Sequence, residues 1–405
     1  MTAETDAVVV IGASLGGMRT VSGLRRAGFE GAITLVGDEE HLPYDRPPLS
    51  KEVLRGEKEA EDTHFRSAEF FSEEAIDLRL GSPATALDPD TRTITLASGD
   101  EIPYGTAVIA TGARPRKLPG SEALDAVHQM RTIEDAAAIS SAFADAEHLV
   151  VIGAGFIGSE VASSGRARGL EVTIIEAATQ PLALAVGTEI GARCAGLHSH
   201  YGADLRAGVG VAALEPDVAG GLSVKLSDGD EVSCDTAVVG IGVIPNIEWL
   251  EGSGIELDGA VVCDQYMKTS LPDVYALGDL ADWYNPLVER RMRVEHWTNT
   301  VEQAAAVAKS IATGESVGYS GVPYFWSDQY GHRLQLVGTA DADELVIIDD
   351  PADNPGVFAL YRRGDRLAGA FGIDRAGPVM TMRGLLLKRS GFNDAREVAA
   401  SIISG

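Results

Sequence analysis

The chain alternates short, solid runs of β-branched and aliphatic residues with longer stretches in which apolar positions recur every three to four residues. The clearest runs are "AVVVI" (Ala7–Ile11) and "LVVI" (Leu149–Ile152). Consecutive apolar residues bounded by turn signals predict strands buried on both faces. Each run ends in a glycine-spaced turn, "GASLGG" in one case and "GAGFIG" in the other, and each turn opens into a helix-like stretch. "AITLVGD" and "EVTIIE" predict the next strands and end in acids, Asp38 and Glu176. Further strands are predicted in "AVIATGARP" (Ala107–Pro115), "AVVGIGVIPN" (Ala237–Asn246) and "TSLPDVYALGDLAD" (Thr269–Asp282). Towards the end "LQLVG", "ELVIID" and "VFALYRR" alternate like strands, and Met380–Lys388 is helix-like.

The repeated turn has a physical meaning. After a strand, a first glycine makes the tight turn, a second lets backbone approach a pyrophosphate, and a third permits close helix–strand packing. The phosphates then sit at the positive end of the helix dipole. The second copy has all three, Gly153, Gly155 and Gly158; the first has Gly12 and Gly17, with Ser14 in the middle. An acid about twenty residues on accepts hydrogen bonds from a ribose 2′-hydroxyl and repels a 2′-phosphate. Asp38 and Glu176 fill that place. The expected fold class is α/β, with two Rossmann-like dinucleotide-binding domains and a C-terminal α+β domain.

Composition narrows the function. At 405 residues, 45% hydrophobic and 23% charged, the chain has the profile of a multidomain globular protein. No apolar run reaches the roughly 20 residues needed to span a bilayer, and "MTAETDA" lacks a basic, apolar leader, so a cytoplasmic location is expected. A net charge of −27 argues against nucleic acid as a partner. Cys194, Cys234 and Cys263 are scattered without CxxC or metal-ligand spacing, so buried thiols are expected, with no metal. Two dinucleotides in one chain suggest an electron relay from a nicotinamide to a tightly held flavin.

The order of the two glycine turns, "ATG", "GIG" and the "GD" at Gly278–Asp279 resembles the FAD-dependent pyridine nucleotide–disulfide oxidoreductase superfamily over nearly the whole chain. The resemblance implies a glutathione-reductase-like arrangement, with an NAD domain (116–244) inserted into an FAD domain (1–115 and 245–320) and a C-terminal domain at 321–405. It assigns FAD to Gly12, Ser14, Leu15, Gly16, Asp38, Arg46, Ala110, Thr111, Gly112, Gly278 and Asp279, with Ala84 and Arg131 on the adenine side. It assigns NADH to Gly153, Gly155, Phe156, Ile157, Gly158 and Glu176, with Gly242 beside it. No basic residue follows Glu176 in "EAATQPLA", which speaks against NADPH.

Disulfide reductases of that superfamily need a cysteine near the flavin, yet none occurs in the first 193 residues. The segment instead reads "HLPYDRPPLSKEVLRG". Pro47 and Pro48 stiffen it, and a helix is expected to start at Ser50. "PPLSK", "LVGD", "GIGVIPN" and "FWSDQY" together resemble the oxygenase-coupled NADH–ferredoxin reductases, the class that includes putidaredoxin reductase and the reductases of biphenyl-type dioxygenases. By that resemblance Lys51 lies against the flavin, where a fixed ammonium stabilises negative charge on the reduced ring. Glu160 is expected to pair with it. Read without the resemblance, Lys51 is a solvated helix residue and Glu160 a helix-surface acid. "RVEHWTNTVEQA" places Glu295, His296 and Trp297 before a helix expected near Asn299, whose N-terminus faces the flavin in this family.

The implied partner is an acidic two-iron, two-sulfur ferredoxin, with the reductase acting as a monomer or homodimer. Because the chain is itself acidic, docking needs local basic residues: Arg66 by resemblance, then Arg290, Arg291, Arg293, Lys388 and Arg389. Two other activities fit the same motifs: reduction of rubredoxin or a small quinone, and redox sensing by a flavoprotein.

Overall fold

Valine, isoleucine and leucine runs build two parallel sheets. The computed structural model describes residues 7–217, 220–351 and 355–404; "MTAETD" lies outside them. The chain forms two units. The first comprises the described residues up to Asp45, Thr63–Arg114 and Ile244–Pro323. Its five-stranded sheet runs Val274–Ala276, Thr106–Ile109, Val8–Ile11, Ile33–Val36, Ile76–Arg79, all parallel. Val8–Ile11 is buried throughout, as a central strand of such a sheet must be.

Two helices cover this sheet beside the first glycine turn, Leu15–Arg26 and Trp297–Thr313. Small residues bring them together: a Cβ on Gly23 would lie 2.8 Å from the Ala308 Cβ, and one on Gly16 would lie 3.4 Å from Thr300. The second helix starts at Trp297, two residues before the expected Asn299, with His296 as its N-cap.

The second unit comprises Arg46–Asp62, Pro115–Val243 and the residues from Tyr324 onward. Its parallel sheet runs Asp204–Ala207, Glu171–Glu176, His148–Ile152, Thr236–Val239, Val127–Gln129. A five-stranded antiparallel sheet follows, in the order Tyr324–Gln329, His332–Gly338, Arg366–Ile373, Val357–Arg363, Glu344–Asp349. Its apolar face shares one core with the helices Ala183–Val186 and Thr188–His200, through Val186, Ile190, Leu197, Phe325, Tyr361 and Phe371. The C-terminal helices are Ala376–Leu387, which begins four residues before the expected Met380, and Phe392–Ser404.

The three cysteines are buried. Among the described residues no helix is long and apolar enough to cross a membrane, and no group of His, Cys, Asp or Glu is arranged to hold a metal.

Candidate functional site

The first glycine turn is built by steric necessity. Gly12 has φ +113°, and a Cβ there would lie 2.2 Å from the Ala110 carbonyl oxygen. A Cβ on Gly17 would lie 1.9 Å from the Gly12 oxygen, so these two glycines serve the fold itself. Ser14 caps the Leu15–Arg26 helix from an extended conformation. Asp38 is exposed one residue beyond Gly37, at the end of the adjacent strand.

Thr111 and Gly112 follow the carboxyl end of the Thr106–Ile109 strand of this sheet, and Gly278 and Asp279 follow that of Val274–Ala276. Thr111 Oγ1 donates to the Asn246 carbonyl (2.8 Å) and Asn246 Nδ2 donates to the Thr111 carbonyl (2.9 Å). Gly112 turns with φ +62°. Gly278 turns with φ +82°, its N–H held by Gln303 Oε1 at 2.8 Å, and half-buried Asp279 follows. Ala84 is half-buried at the start of the Ala84–Asp88 strand. Trp297 Nε1 donates to Asp45 (2.8 Å), and the Arg19 guanidinium lies 5.5 Å over the indole. Desolvation pushes the His296 imidazole down to about 4 against the opposing pull of Asp279, so it is neutral at pH 7. Glu295 is exposed and pairs with Arg293.

In the second unit the glycines divide their tasks. A Cβ on Gly153 would lie 2.4 Å from the Gly240 oxygen, and one on Gly158 would lie 2.0 Å from the Gly153 oxygen. Gly155 is different: its φ is −72°, and the nearest atom to an added Cβ is the Gly240 oxygen at 3.9 Å. The fold does not need glycine at 155. Open space at the N-terminus of the Phe156–Ala167 helix suits a pyrophosphate pressed against backbone. Ile157 is exposed there, while Phe156 turns to Phe325 (ring centroids 4.3 Å apart). Glu176 accepts from Ala154 N and Ala178 N, both at 2.7 Å, which fixes the carboxylate beside the turn with lone pairs to spare. Gly242 turns with φ +98° and meets nothing within 4 Å of an added Cβ.

The segment around "PPLSK" forms a five-residue π-helical turn, Leu49–Val53, rather than a helix starting at Ser50. One face of the Phe156–Ala167 helix grips it. Glu160, Ser164 and Arg168 are spaced i, i+4, i+8, so they line up along that face. Ser164 Oγ donates to the Ser50 carbonyl (2.7 Å) and Arg168 Nη1 to the Leu54 carbonyl (3.1 Å). Glu160 Oε2 accepts from Lys51 Nζ (2.7 Å) and Ser50 Oγ (2.6 Å); Oε1 accepts from Ser327 Oγ (2.8 Å). Glu160 is thus no surface acid, and Lys51, 6% exposed, is no solvated residue. Arg46 precedes this turn and donates to the Arg131 carbonyl (2.6 Å), next to the capping box that Thr132 and Asp135 make for the Ile133–Asp145 helix.

The sequence marks Ser50 only as a helix start, and it does not single out Ser164, Arg168, Ser327 or Gln303. The i, i+4, i+8 spacing after Glu160 was the available signal for two of them. The basic candidates differ in their surroundings. Arg66 is exposed and stacks on Phe70 (5.4 Å), and Lys388 is exposed at the end of its helix. Arg291 is tied to Asp282 and Asp258, and Arg293 to Glu295. Arg290 and Arg389 are exposed.

Known proteins resemble the chain along nearly its full length. The pyridine nucleotide-disulphide oxidoreductase model matches residues 6–304, and the reductase C-terminal model matches residues 324–401. Rhodocoxin reductase of Rhodococcus erythropolis is 37% identical over 94% of this chain and 89% of its own. The ferredoxin–NAD(+) reductase component of the p-cumate 2,3-dioxygenase system of Pseudomonas putida is 38% identical over 89% of this chain and 87% of its own. The reductase in the crystal structure of the covalent putidaredoxin reductase–putidaredoxin complex superimposes with a TM-score of 0.90 at 33% identity, covering 95% of this chain and 93% of that one. With both glycine cradles, their acids and these matches in hand, the chain belongs to the pyridine nucleotide-disulphide oxidoreductase family.

Proposed function

We infer that the chain is an FAD-dependent NADH:ferredoxin oxidoreductase that supplies electrons to an oxygenase. The reaction is NADH plus two oxidised ferredoxins giving NAD⁺, a proton and two reduced ferredoxins. The observation that carries it is a pair of dinucleotide cradles in a chain whose cysteines are all buried thiols, with Cys194 and Cys234 pushed up to about 12 by desolvation. Electrons delivered by NADH therefore have no internal dithiol to reach and must leave to an external acceptor. The ferredoxin named for the p-cumate reductase and the putidaredoxin of the structural neighbour indicate its class, a small iron–sulfur protein.

FAD, when bound, supplies the conversion of a two-electron donor into one-electron deliveries. The rest is the work of this chain's residues. Ser14, Leu15, Gly16, Asp38, Thr111 and Asp279 hold the flavin dinucleotide on the turn that Gly12 shapes, and Gly155 and Glu176 hold NADH on the turn that Gly153 and Gly158 shape. Glu176 selects NADH because its carboxylate accepts from a ribose hydroxyl and repels a 2′-phosphate. Lys51, fixed by Glu160, presents a positive charge to the reduced ring, and the N-terminus of the Trp297–Thr313 helix adds its dipole. We assign the FAD domain to residues 1–115 and 245–320, the NAD domain to 116–244, the C-terminal domain to 321–405, and the chain to the cytoplasm.

The test is cytochrome c reduction by the purified flavoprotein with NADH and a panel of two-iron, two-sulfur ferredoxins. Stimulation by at least one ferredoxin and a strong preference for NADH are expected. Equal rates with no ferredoxin present, or with quinones alone, overturn the assignment.

A further inference from the structure

Glu160 has a third partner, and it comes from the first strand of the C-terminal antiparallel sheet. In Tyr324–Gln329 the side chains alternate: Phe325, Ser327 and Gln329 are buried, and the residues between them are half-buried. Ser327 and Gln329 therefore share a face, two residues apart. Ser327 Oγ lies 2.8 Å from Glu160 Oε1, and Gln329 Nε2 lies 3.1 Å from Ser327 Oγ. Both residues are fully buried.

We propose that Ser327 and Gln329 are positioning residues for the Lys51–Glu160 pair, setting the field that Lys51 presents to the flavin; this rests on the role given above to Lys51. The direction of the hydrogen bonds carries the inference. An amide N–H only donates, so Gln329 takes the lone pair of Ser327 Oγ and leaves the single hydroxyl proton for Glu160. Ser327 is thereby committed as a donor to the carboxylate. Ser50 and Lys51 both hold Oε2, and Ser327 holds Oε1. The terminal carboxylate torsion of glutamate is broad and soft, so donors on one oxygen alone leave it free to swing. Ser327 pins the other oxygen and keeps Oε2 on Lys51. It also takes up part of the Glu160 charge, so less of the Lys51 charge is cancelled.

Gln329 supports this because an apolar residue would fit a buried strand position more cheaply. Its Oε1 is buried without a hydrogen-bond partner among the described residues. A buried amide kept with one end unsatisfied calls for a role at its other end. That end touches Ser327.

The experiment uses the FAD-loaded protein and the variants Ser327→Ala, Ser327→Thr, Gln329→Met and Lys51→Met. Anaerobic flavin reduction by NADH, the KM for NADH, the flavin midpoint potential, FAD content and thermal midpoint are measured on each. Ser327→Ala is expected to slow flavin reduction about tenfold, the scale of one hydrogen bond to a charged group. Its potential falls, while KM and FAD content stay at wild-type values. Threonine at 327, which keeps the hydroxyl, restores both rate and potential. Gln329→Met lowers rate and potential by a smaller factor without lowering the thermal midpoint, a combination that a merely structural role does not produce. Should Ser327→Ala fail to fold, Gln329→Met carries the test. Wild-type rate and potential in Ser327→Ala or in Gln329→Met overturn the inference, as does a well-folded threonine variant no faster than alanine. If Lys51→Met slows reduction while Ser327→Ala does not, only this inference falls. If Lys51→Met is itself unaffected, the role of Lys51 falls with it.

Discussion

Lys51 Nζ lies 2.7 Å from Glu160 Oε2 across 109 residues of sequence, with both side chains more than nine-tenths shielded from water. A buried ion pair contributes little net stability, but breaking it from one side strands a charge. Lys51→Met leaves Glu160 with two hydroxyl donors, and Glu160→Met leaves Lys51, among the described residues, with the Pro47 carbonyl at 3.0 Å. Each single variant is expected to lose about 3–5 kcal/mol, Glu160→Met the more, and the double variant to recover most of it. Denaturant unfolding of the four proteins checks this, and additive losses would contradict the coupling.

The second glycine turn separates glycines that the fold needs from Gly155, where the fold leaves open space. Gly155→Ala adds a Cβ whose nearest neighbour is 3.9 Å away at an unstrained φ of −72°, whereas Gly158→Ala drives a Cβ to 2.0 Å from the Gly153 oxygen. Gly155→Ala is expected to keep stability within about 0.5 kcal/mol of wild type. It raises the KM for NADH about tenfold by holding the pyrophosphate off the backbone. Gly158→Ala is expected to lose more than about 2 kcal/mol. Thermal unfolding alongside steady-state kinetics distinguishes the two.

How much of this was legible beforehand depends on the range of each interaction. The glycine turns and their acids follow from local rules, since the period of the strands and the clashes of Gly17 with Gly12 and of Gly158 with Gly153 involve neighbours in one βαβ unit. The surroundings of Glu160 do not. Its partners Ser50 and Ser327 lie 110 and 167 residues away. Ser50 resembled a helix N-cap, but its hydroxyl is taken by Glu160. Its carbonyl is taken by Ser164, so the backbone settles into a π turn that local propensity cannot anticipate. The Trp297–Thr313 helix also starts two residues earlier than the Asn299 signal suggested, with His296 at its N-cap position but without a side-chain capping hydrogen bond.

Two histidines shielded from water, His198 buried and His296 half-buried, give the protein a defined acid limb. Desolvation pushes His198 and His296 from an ordinary 6.5 down to about 4. Both are neutral in the folded chain, while the unfolded chain takes up their protons near pH 6.5. Between those values the unfolded state binds more protons, so stability is lost as the pH falls from about 6.5 towards 4, and neither residue contributes above that window. Each accounts for about 1.4 kcal/mol per pH unit within it. His198→Gln is expected to remove one such increment from the slope of unfolding free energy against pH. Urea unfolding at several pH values below neutrality checks it, and an unchanged slope would refute it.

Docking of an acidic ferredoxin on an acidic reductase must rest on cations that their own neighbours do not neutralise. Arg291 and Arg293 fail that condition, being paired with Asp282 and Glu295. Arg66 meets it: the guanidinium is exposed, with the Phe65 carbonyl (3.0 Å) and the Phe70 ring as neighbours. Arg66→Glu replaces an exposed cation with a negative charge on a protein already at −27. The expected outcome is an apparent KM for ferredoxin raised about tenfold at low salt, through slower association, and a smaller effect as salt screens the charge. Ferricyanide, a small acceptor that needs no docked surface, should be reduced at the wild-type rate. Arg291→Glu is expected to change ferredoxin KM less, because Asp282 already cancels that charge in the parent. Steady-state assays of both variants with both acceptors decide the matter: an equal loss with ferredoxin and ferricyanide in Arg66→Glu would move this arginine from the docking surface to the machinery that loads the flavin.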